Sequence, residues 1–285
     1  MPPPHTARRT AGPKRESDVP TRLPDRVIAR ALRLLGPWRW LTRPVFVGMH
    51  LVPSARPLLF VGNHTLYGAL DVPLLYAELL RVHGIVLRSL GDHLHFRVPY
   101  WRDLLTMFGT VDGNPESCAA LMRDGESILV FPGGGREVAK RRGEKYTLVW
   151  GERLGFARLA LEHGCTIVPF AAVGVEDGLD IRLDANDLLA TPVGRWIERL
   201  GLRTDVIPPL TTGIGPTPLP RPQRLYFQIR PPISLTATPA PSRERCVALR
   251  DQVRAEVEEG IAELRAFQQR DPRRVRAPWL FDRPR

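Results

Sequence analysis

Two short stretches hold the residues best suited to moving a proton or gripping an anion. The first is PLLFVGNHTLYGALD, from Pro57 to Asp71. Its His64 carries an imidazole, the side chain whose ordinary pKa lies nearest neutrality, and so could take a proton from a hydroxyl without much tuning. A carboxylate would fix the tautomer of such a base, and Asp71 is the nearest one downstream, across the Gly68 turn. Structural readings stand beside both: His64 as a strand-end residue, and Asp71 as the N-cap of a helix with Pro73 in its first turn. The second stretch is PGGGRE, in which three glycines (Gly133, Gly134, Gly135) allow close approach of backbone amides and Arg136 offers a fork of donors to a phosphate or carboxylate. A tight turn after a strand would use the same glycines. Asp92, His93 and His95 lack the further ligands of a metal site and read as a loop feature.

The elements that must position these groups follow from apolar patterning. Leu58–Val61, bounded by Pro57 and Gly62, suits a short buried strand ending at the Gly-Asn-His turn. Ser127–Phe131 runs in the same way into PGGGRE, and CTIVPFAAVGV is the most continuous apolar run, as a central parallel strand should be. VFVGMHLV and Ile85–Arg88 add further strands. Helices are expected over about Val72–Val82 with Gly84 as stop, near Tyr100–Phe108, from an Asn114-Pro115-Glu116 start to Gly125, near Glu152–His163, and over Ser242–Phe267. The alternation from 44 to 174 predicts an α/β fold with a largely parallel sheet flanked by helices. Residues 203–222 read as loop, and RLYFQIR (Arg224–Arg230) as a late strand.

Charge is placed unevenly along the 285 residues, whose formal net charge is +11. Residues 1–50 hold ten Arg/Lys against three acids and residues 265–285 seven Arg against two acids, so the middle is close to neutral. A nucleic-acid-binding domain would carry basic charge on its folded surface, so nucleic acid is not an expected partner, whereas basic ends suit an anionic membrane surface. The pattern divides the chain into a disordered basic tail (1–24), an amphipathic helix (25–42), a main domain (43–270) and a loose basic tail (271–285). The helix sets Val27, Ile28, Ala31, Leu34, Leu35 and Trp38 against Arg26, Arg30 and Arg33, with Gly36-Pro37 expected to interrupt it. It fits an interfacial membrane anchor or a helix covering the core. Cys118, Cys165 and Cys246 show neither disulfide nor zinc spacing and suit a reducing cytosol, and no run of about 18 apolar residues is present to span a bilayer. The GxSxG of α/β serine hydrolases is absent.

Taken in order, VGNH with Asp71, HFRVP (His95–Pro99), FPGGGRE and IVPF (Ile167–Phe170) resemble the glycerolipid acyltransferase superfamily over about residues 44–235. PGGGRE followed by YTLVWGERLGFARLALEHGCTIVPF is similar to its diacylglycerol-acyltransferase-like and phytyl ester synthase-type branch. The resemblance implies a lysophosphatidic acid acyltransferase-like fold, with His64 as the base that deprotonates an acceptor hydroxyl and Asp71 as its partner. It implies Asn63, Gly133, Gly134, Gly135, Arg136, Glu137 and Pro169 at the substrate site. It also implies an acyl-CoA or acyl carrier protein donor, a lipid acceptor, no cofactor, and a peripheral place on the cytoplasmic side of a membrane. Two departures from the family pattern are visible: the Asp follows the His by seven residues where five is common, with Ala69 at the usual place, and Gly133 stands where many members carry Glu. Phosphate-using members of that family carry an Arg shortly after a Gly-containing strand between the first and third motifs; the corresponding stretch here, FGTVDGNPESC, holds no basic residue and has Asp112 and Glu116, so the resemblance implies an uncharged acceptor such as diacylglycerol or a long-chain alcohol. The alternatives are a lysophospholipid (1-acylglycerol-3-phosphate) acyltransferase and a non-catalytic membrane lipid-binding protein.

Overall fold

The structure, a computed structural model, describes residues 25–91, 110–200 and 204–275. The tail 1–24, the Asp92-His93-x-His95 cluster, HFRVP and the helix expected at Tyr100–Phe108 lie outside the described residues.

The apolar run at Leu58 becomes β2 (Leu58–Gly62), buried at every residue. Alternate side chains of a strand point to opposite faces, so Leu59 and Val61 enter one core while Leu58 and Phe60 enter the other. The same alternation holds in β6 (Thr166–Val173), whose Ile167 and Ala171 face one side and whose Val168 and Phe170 face the other. Two helical layers close these faces. Beyond the first lie α3 (Pro115–Arg123), α5 (Gly155–His163) and α8 (Arg243–Arg270); beyond the second lie α1 (Asp25–Thr42) and α2 (Val72–His83). Burying each large apolar side chain contributes roughly 1.5–3 kcal/mol, so both layers are held chiefly by apolar contact.

The main sheet runs β1-β9-β6-β2-β5-β3-β4, with β1 at Val45–Val47, β3 at Leu87–Gly91, β4 at Val111–Asp112, β5 at Ser127–Val130 and β9 at Tyr226–Ile229. The segment β6-β2-β5-β3-β4 is parallel throughout, which confirms the α/β class. β9 and the short β10 (Ile233–Ser234) run antiparallel to β6, and β1 pairs parallel with β9. The carboxyl ends of β5, β2 and β6 therefore lie side by side, and ligand crevices of open parallel sheets form at such ends.

Helix signals fix several boundaries: Asn114 Oδ1 accepts from Ser117 N at 2.7 Å, Ser242 Oγ accepts from Arg245 N, and Gly84 and Gly164 adopt left-handed conformations at helix ends. Elsewhere tertiary contact overrides local expectation. α1 continues through Gly36-Pro37 to Thr42, because Leu35 and Trp38 pack on the core and the Trp38 indole donates to Leu70 O at 2.6 Å. Those contacts offset the roughly 3 kcal/mol that an internal proline costs. VFVGMHLV gives only three strand residues before a 3-10 turn at Met49–Leu51. The stretch read as loop at 203–222 contains β8 (Leu210–Thr212), which pairs with β7 (Asp180–Leu183). Between them lie α6 (Ala185–Leu189) and α7 (Pro192–Arg199), which sequence reading did not anticipate. Residues 271–275, expected to be loose, are docked: Arg274 O accepts from Arg224 N, Arg273 O from Arg43, and Val275 bridges to Gln223.

Candidate active site

Beyond Gly62 the chain leaves the sheet, and Asn63 makes the departure rigid. Its side-chain amide donates to Ala172 O at 2.9 Å and accepts from Ala172 N at 2.8 Å, extending the β2–β6 pairing by one step. Both ends of the amide are thus occupied by the neighbouring strand, so Asn63 positions the turn and does not reach toward a substrate. The next residue, His64, is partly buried and lies flat on Phe131 at the end of β5, with ring centroids 3.9 Å apart and planes 10° from parallel. Phe131 in turn meets Phe170 edge-on. The other edge of the imidazole faces Gly68, whose φ of +63° is left-handed; a Cβ there would come within 2.1 Å of the His64 ring. Glycine at 68 is what lets the turn pass so close. Tyr67 N donates to Val138 O and ties this turn to α4 (Gly134–Val138).

His64 Nδ1 is buried without a hydrogen-bond partner. The expected bond to Asp71 is not formed. Asp71 is buried and caps α2, with Oδ1 accepting from Val72 N at 2.9 Å. Both of its readings thus start from a cap, and its electrostatics go further: burial raises its pKa to about 6, against the pull of the Thr65 hydroxyl and nearby amides. His64 moves the other way. Desolvation, aided by the Lys140 cation, lowers its pKa to about 3, so the ring is neutral across the physiological range. A neutral ring is the form that can accept a proton.

The glycine loop lies beside it. Gly133 is fixed by its neighbour: a Cβ there would meet Glu137 Oε2 at 2.0 Å, so the Glu137 carboxyl folds back against the Gly133 backbone. Glu137 is fully buried, and neither carboxyl oxygen has a hydrogen-bond partner. Burial raises its pKa to about 7, opposed by the Lys140 cation and by the His64 and Val149 amides, which approach the carboxyl without a well-aligned hydrogen bond. Behind it, Lys140 Nζ stands 3.2 Å from Glu176 Oε1 and donates to Thr147 O at 2.9 Å. Glu176 also accepts from Tyr146 N, and the Tyr146 hydroxyl donates to Asp177. The loop after β6 therefore completes a buried polar floor under His64. Among the described residues no cluster of His, Cys, Asp and Glu fits a metal ion.

The remaining expected site residues fall elsewhere. Arg136 is engaged by Glu144, to which both terminal nitrogens donate, one at 2.9 Å, and it also donates to Ala139 O. Its fork is thus already filled by a carboxylate of its own chain. Pro169 is buried in β6 opposite Val61, where its carbonyl accepts from Arg230 N at 2.8 Å, so its place is within the sheet. Sequence reading brought His64, Asp71 and Gly133–Glu137 to neighbouring strand ends. It missed Lys140, Glu176, Phe131, Gly68 as a ring platform, and Arg153, which is exposed and donates to Pro132 O at 2.9 Å. The available signal was a charged residue in an otherwise apolar setting, such as Glu176 directly after β6.

Comparison with known proteins agrees with this architecture. The acyltransferase family model matches residues 43–173. Phytyl ester synthase 1, chloroplastic, of Arabidopsis thaliana is 30% identical over 249 residues, which is 80% of this chain and 35% of that protein. The human DGAT1/2-independent enzyme synthesizing storage lipids is 31% identical over 152 residues, 53% of this chain and 44% of that protein. The crystal structure of the 1-acyl-sn-glycerophosphate (LPA) acyltransferase PlsC from Thermotoga maritima aligns with a TM-score of 0.53 at 18% identity, covering 85% of this chain and 81% of that one. The chain thus spans about a third of the length of the phytyl ester synthase that it matches. Over residues 43–173 the chain is therefore similar to acyltransferases, and the strand order agrees with that likeness.

Proposed function

We propose that the protein transfers a fatty acyl group from an acyl thioester, acyl-CoA or acyl carrier protein, to the hydroxyl of a lipid acceptor. The observation that carries this reading is the neutral His64 ring, held between Phe131 and Gly68 at the carboxyl end of β2. With Nδ1 buried, Nε2 is the nitrogen that meets the acceptor. It takes the hydroxyl proton as the oxygen attacks the thioester carbonyl; the C–S bond then breaks, and the departing thiolate receives the proton from the imidazolium. Asp71, and the buried floor of Glu137, Lys140 and Glu176, set the field in which that imidazolium forms.

The acceptor is an uncharged alcohol in this reading, a diacylglycerol or a long-chain alcohol. Arg136 is engaged by Glu144 and so is not free for a phosphate, and the matched relatives are named for phytyl esters and storage lipids. The protein works at a membrane surface in this reading: no helix of the described residues is long and apolar enough to cross one, while α1 leaves Leu32, Leu34 and Trp40 exposed. The test is product analysis by mass spectrometry after offering labelled acyl-CoA with diacylglycerol and lysophosphatidic acid together. Preferential acylation of diacylglycerol is expected. Preferential acylation of lysophosphatidic acid, lost on Arg136→Ala or Arg153→Ala, would reassign the acceptor.

A second reading, a lipid-binding protein without turnover, is favoured by one observation: His64 Nδ1 has no carboxylate partner. Absence of acylated product with every donor and acceptor, with lipid binding retained, would select it.

A further inference from the structure

Residues 180–212 form a small lobe of β7, α6, α7 and β8 at the edge of the site. Its outer surface is apolar in an ordered way. Gly194 is buried against α6, close enough that a Cβ would strike Leu188 O at 2.2 Å, which fixes the inner face of α7. Val193, Trp196 and Leu200 follow the i, i+3, i+7 spacing of a helical stripe on the other side, and they are 60%, 60% and 53% exposed. On the paired strands of the same lobe, cross-strand neighbours Leu183 and Leu210 are 54% and 60% exposed. Isolated exposed leucines are ordinary, but a helical stripe with a tryptophan in the same small lobe as an exposed apolar strand pair is not.

Two observations say what covers this surface. The first is continuity with the site: Tyr67, in the His64 turn, donates its hydroxyl to Pro209 O at 2.7 Å and shares a 2.9 Å hydrogen bond with Thr211, while Val206 lies against Gly135. The lobe is thus bonded directly to the turn and to the glycine loop. The second is charge. Asp184 and Asp187 are neutralised by Arg142, and Asp180 by Arg221. Arg199 is exposed on α7 itself, and Arg182, exposed on β7, lies 4.0 Å from Asp180, which it shares with Arg221, and donates to Thr212 Oγ1. Apolar side chains with tryptophan, rimmed by arginine, suit the boundary between acyl chains and anionic headgroups.

We infer that the α7 stripe with Leu183 and Leu210 is a bilayer-contacting surface, separate from α1, which sets the mouth of the site against the membrane so that a lipid acceptor reaches His64 without crossing water. This inference rests on the lipid-acceptor reading above. The full chain is compared with a Val193→Glu/Trp196→Glu/Leu200→Glu variant for association with vesicles of phosphatidylcholine and phosphatidylglycerol. Acylation of vesicle-embedded diacylglycerol and of a monomeric short-chain diacylglycerol is measured alongside. The expected result is a loss of about tenfold or more in vesicle association and in acylation of the embedded acceptor, with thermal midpoint and acylation of the monomeric acceptor unchanged. As a measurement independent of that variant, a polarity-sensitive fluorophore on Leu200→Cys should shift to the blue when vesicles are added to the otherwise unaltered chain. Unchanged vesicle association together with no blue shift would overturn the inference. So would a parent that sediments as a dimer and a variant that sediments as a monomer with equal vesicle binding, since a second copy would then cover the face. If the parent acylates nothing yet the variant loses vesicle binding, the surface stands and the proposed reaction falls.

Discussion

The strand ends around His64 and the flank where β9 meets α8 both bury charge, and they treat it in opposite ways. At the flank, Arg230 is buried but donates from all three nitrogens, to Glu256 at 3.0 Å, to Glu263 at 2.9 Å and to Glu259. Those glutamates raise the Arg230 pKa against the effect of burial, and the carboxylates keep contact with water. Around His64 the donors and acceptors are left open: Nδ1 of the ring and both oxygens of Glu137 are buried without partners, and the carboxyl pKa values are driven up. An unpaired buried polar group costs about 1–3 kcal/mol. The contrast supports the proposal that the groups around His64 are held for chemistry and those around Arg230 for stability.

Substitutions can break that contrast. The largest effect is expected for His64→Ala, a loss of turnover on the order of 10³-fold or more with the melting profile retained. A folded variant of near-normal activity would end the assignment of the base. Next is Asp71→Asn. Asparagine caps a helix about as well as aspartate, so a residue that merely caps α2 would tolerate the change, whereas one that stabilises the imidazolium should lose about 10²-fold in kcat. Steady-state kinetics beside thermal unfolding separate the two.

At the flank, Arg230→Met should cost about 1–3 kcal/mol of stability in denaturant unfolding, discounted because the glutamates are partly exposed, and should leave kcat alone. A fall in kcat with stability unchanged would blur the distinction between the two regions. An effect of similar size, confined to high pH, has the opposite sign. Glu137 binds its proton more tightly in the folded state, with a pKa near 7 against an ordinary 4.5. Its ionisation therefore subtracts stability as pH rises between those values, and the whole cost is present above about pH 7. Glu137→Gln should thus be more stable than the parent by roughly 1–3 kcal/mol at pH 8 and no more stable at pH 4. A variant that is less stable at pH 8 would mean that the carboxylate is paired after all.

Much of this architecture was legible in the chain because it is written locally. The apolar run before Gly62 gave β2, the Asn114 and Ser242 caps gave the starts of α3 and α8, and Gly84 gave the end of α2. Each signal acts within a turn or a strand, where propensity and capping decide. The placement of His64 and the glycine loop at neighbouring strand ends also followed, since parallel strands of this kind share their carboxyl edge.

What the chain alone left open was which charged groups meet. Arg136 looked free until Glu144, eight residues on, closed its fork, and Lys140 and Glu176, which follow β5 and β6, meet where those two strands flank β2. Asn63 looked like a ligand until Ala172, 109 residues away, took both ends of its amide. α1 passed its own proline because Trp38 found Leu70 across the core. In each case a pair interaction falls off over a few ångströms, and sequence separation says nothing about which side chains come that close. Residue types determined the elements and the kind of chemistry available, whereas strand order, through the distances it imposes, decided which of those groups stay free to perform it.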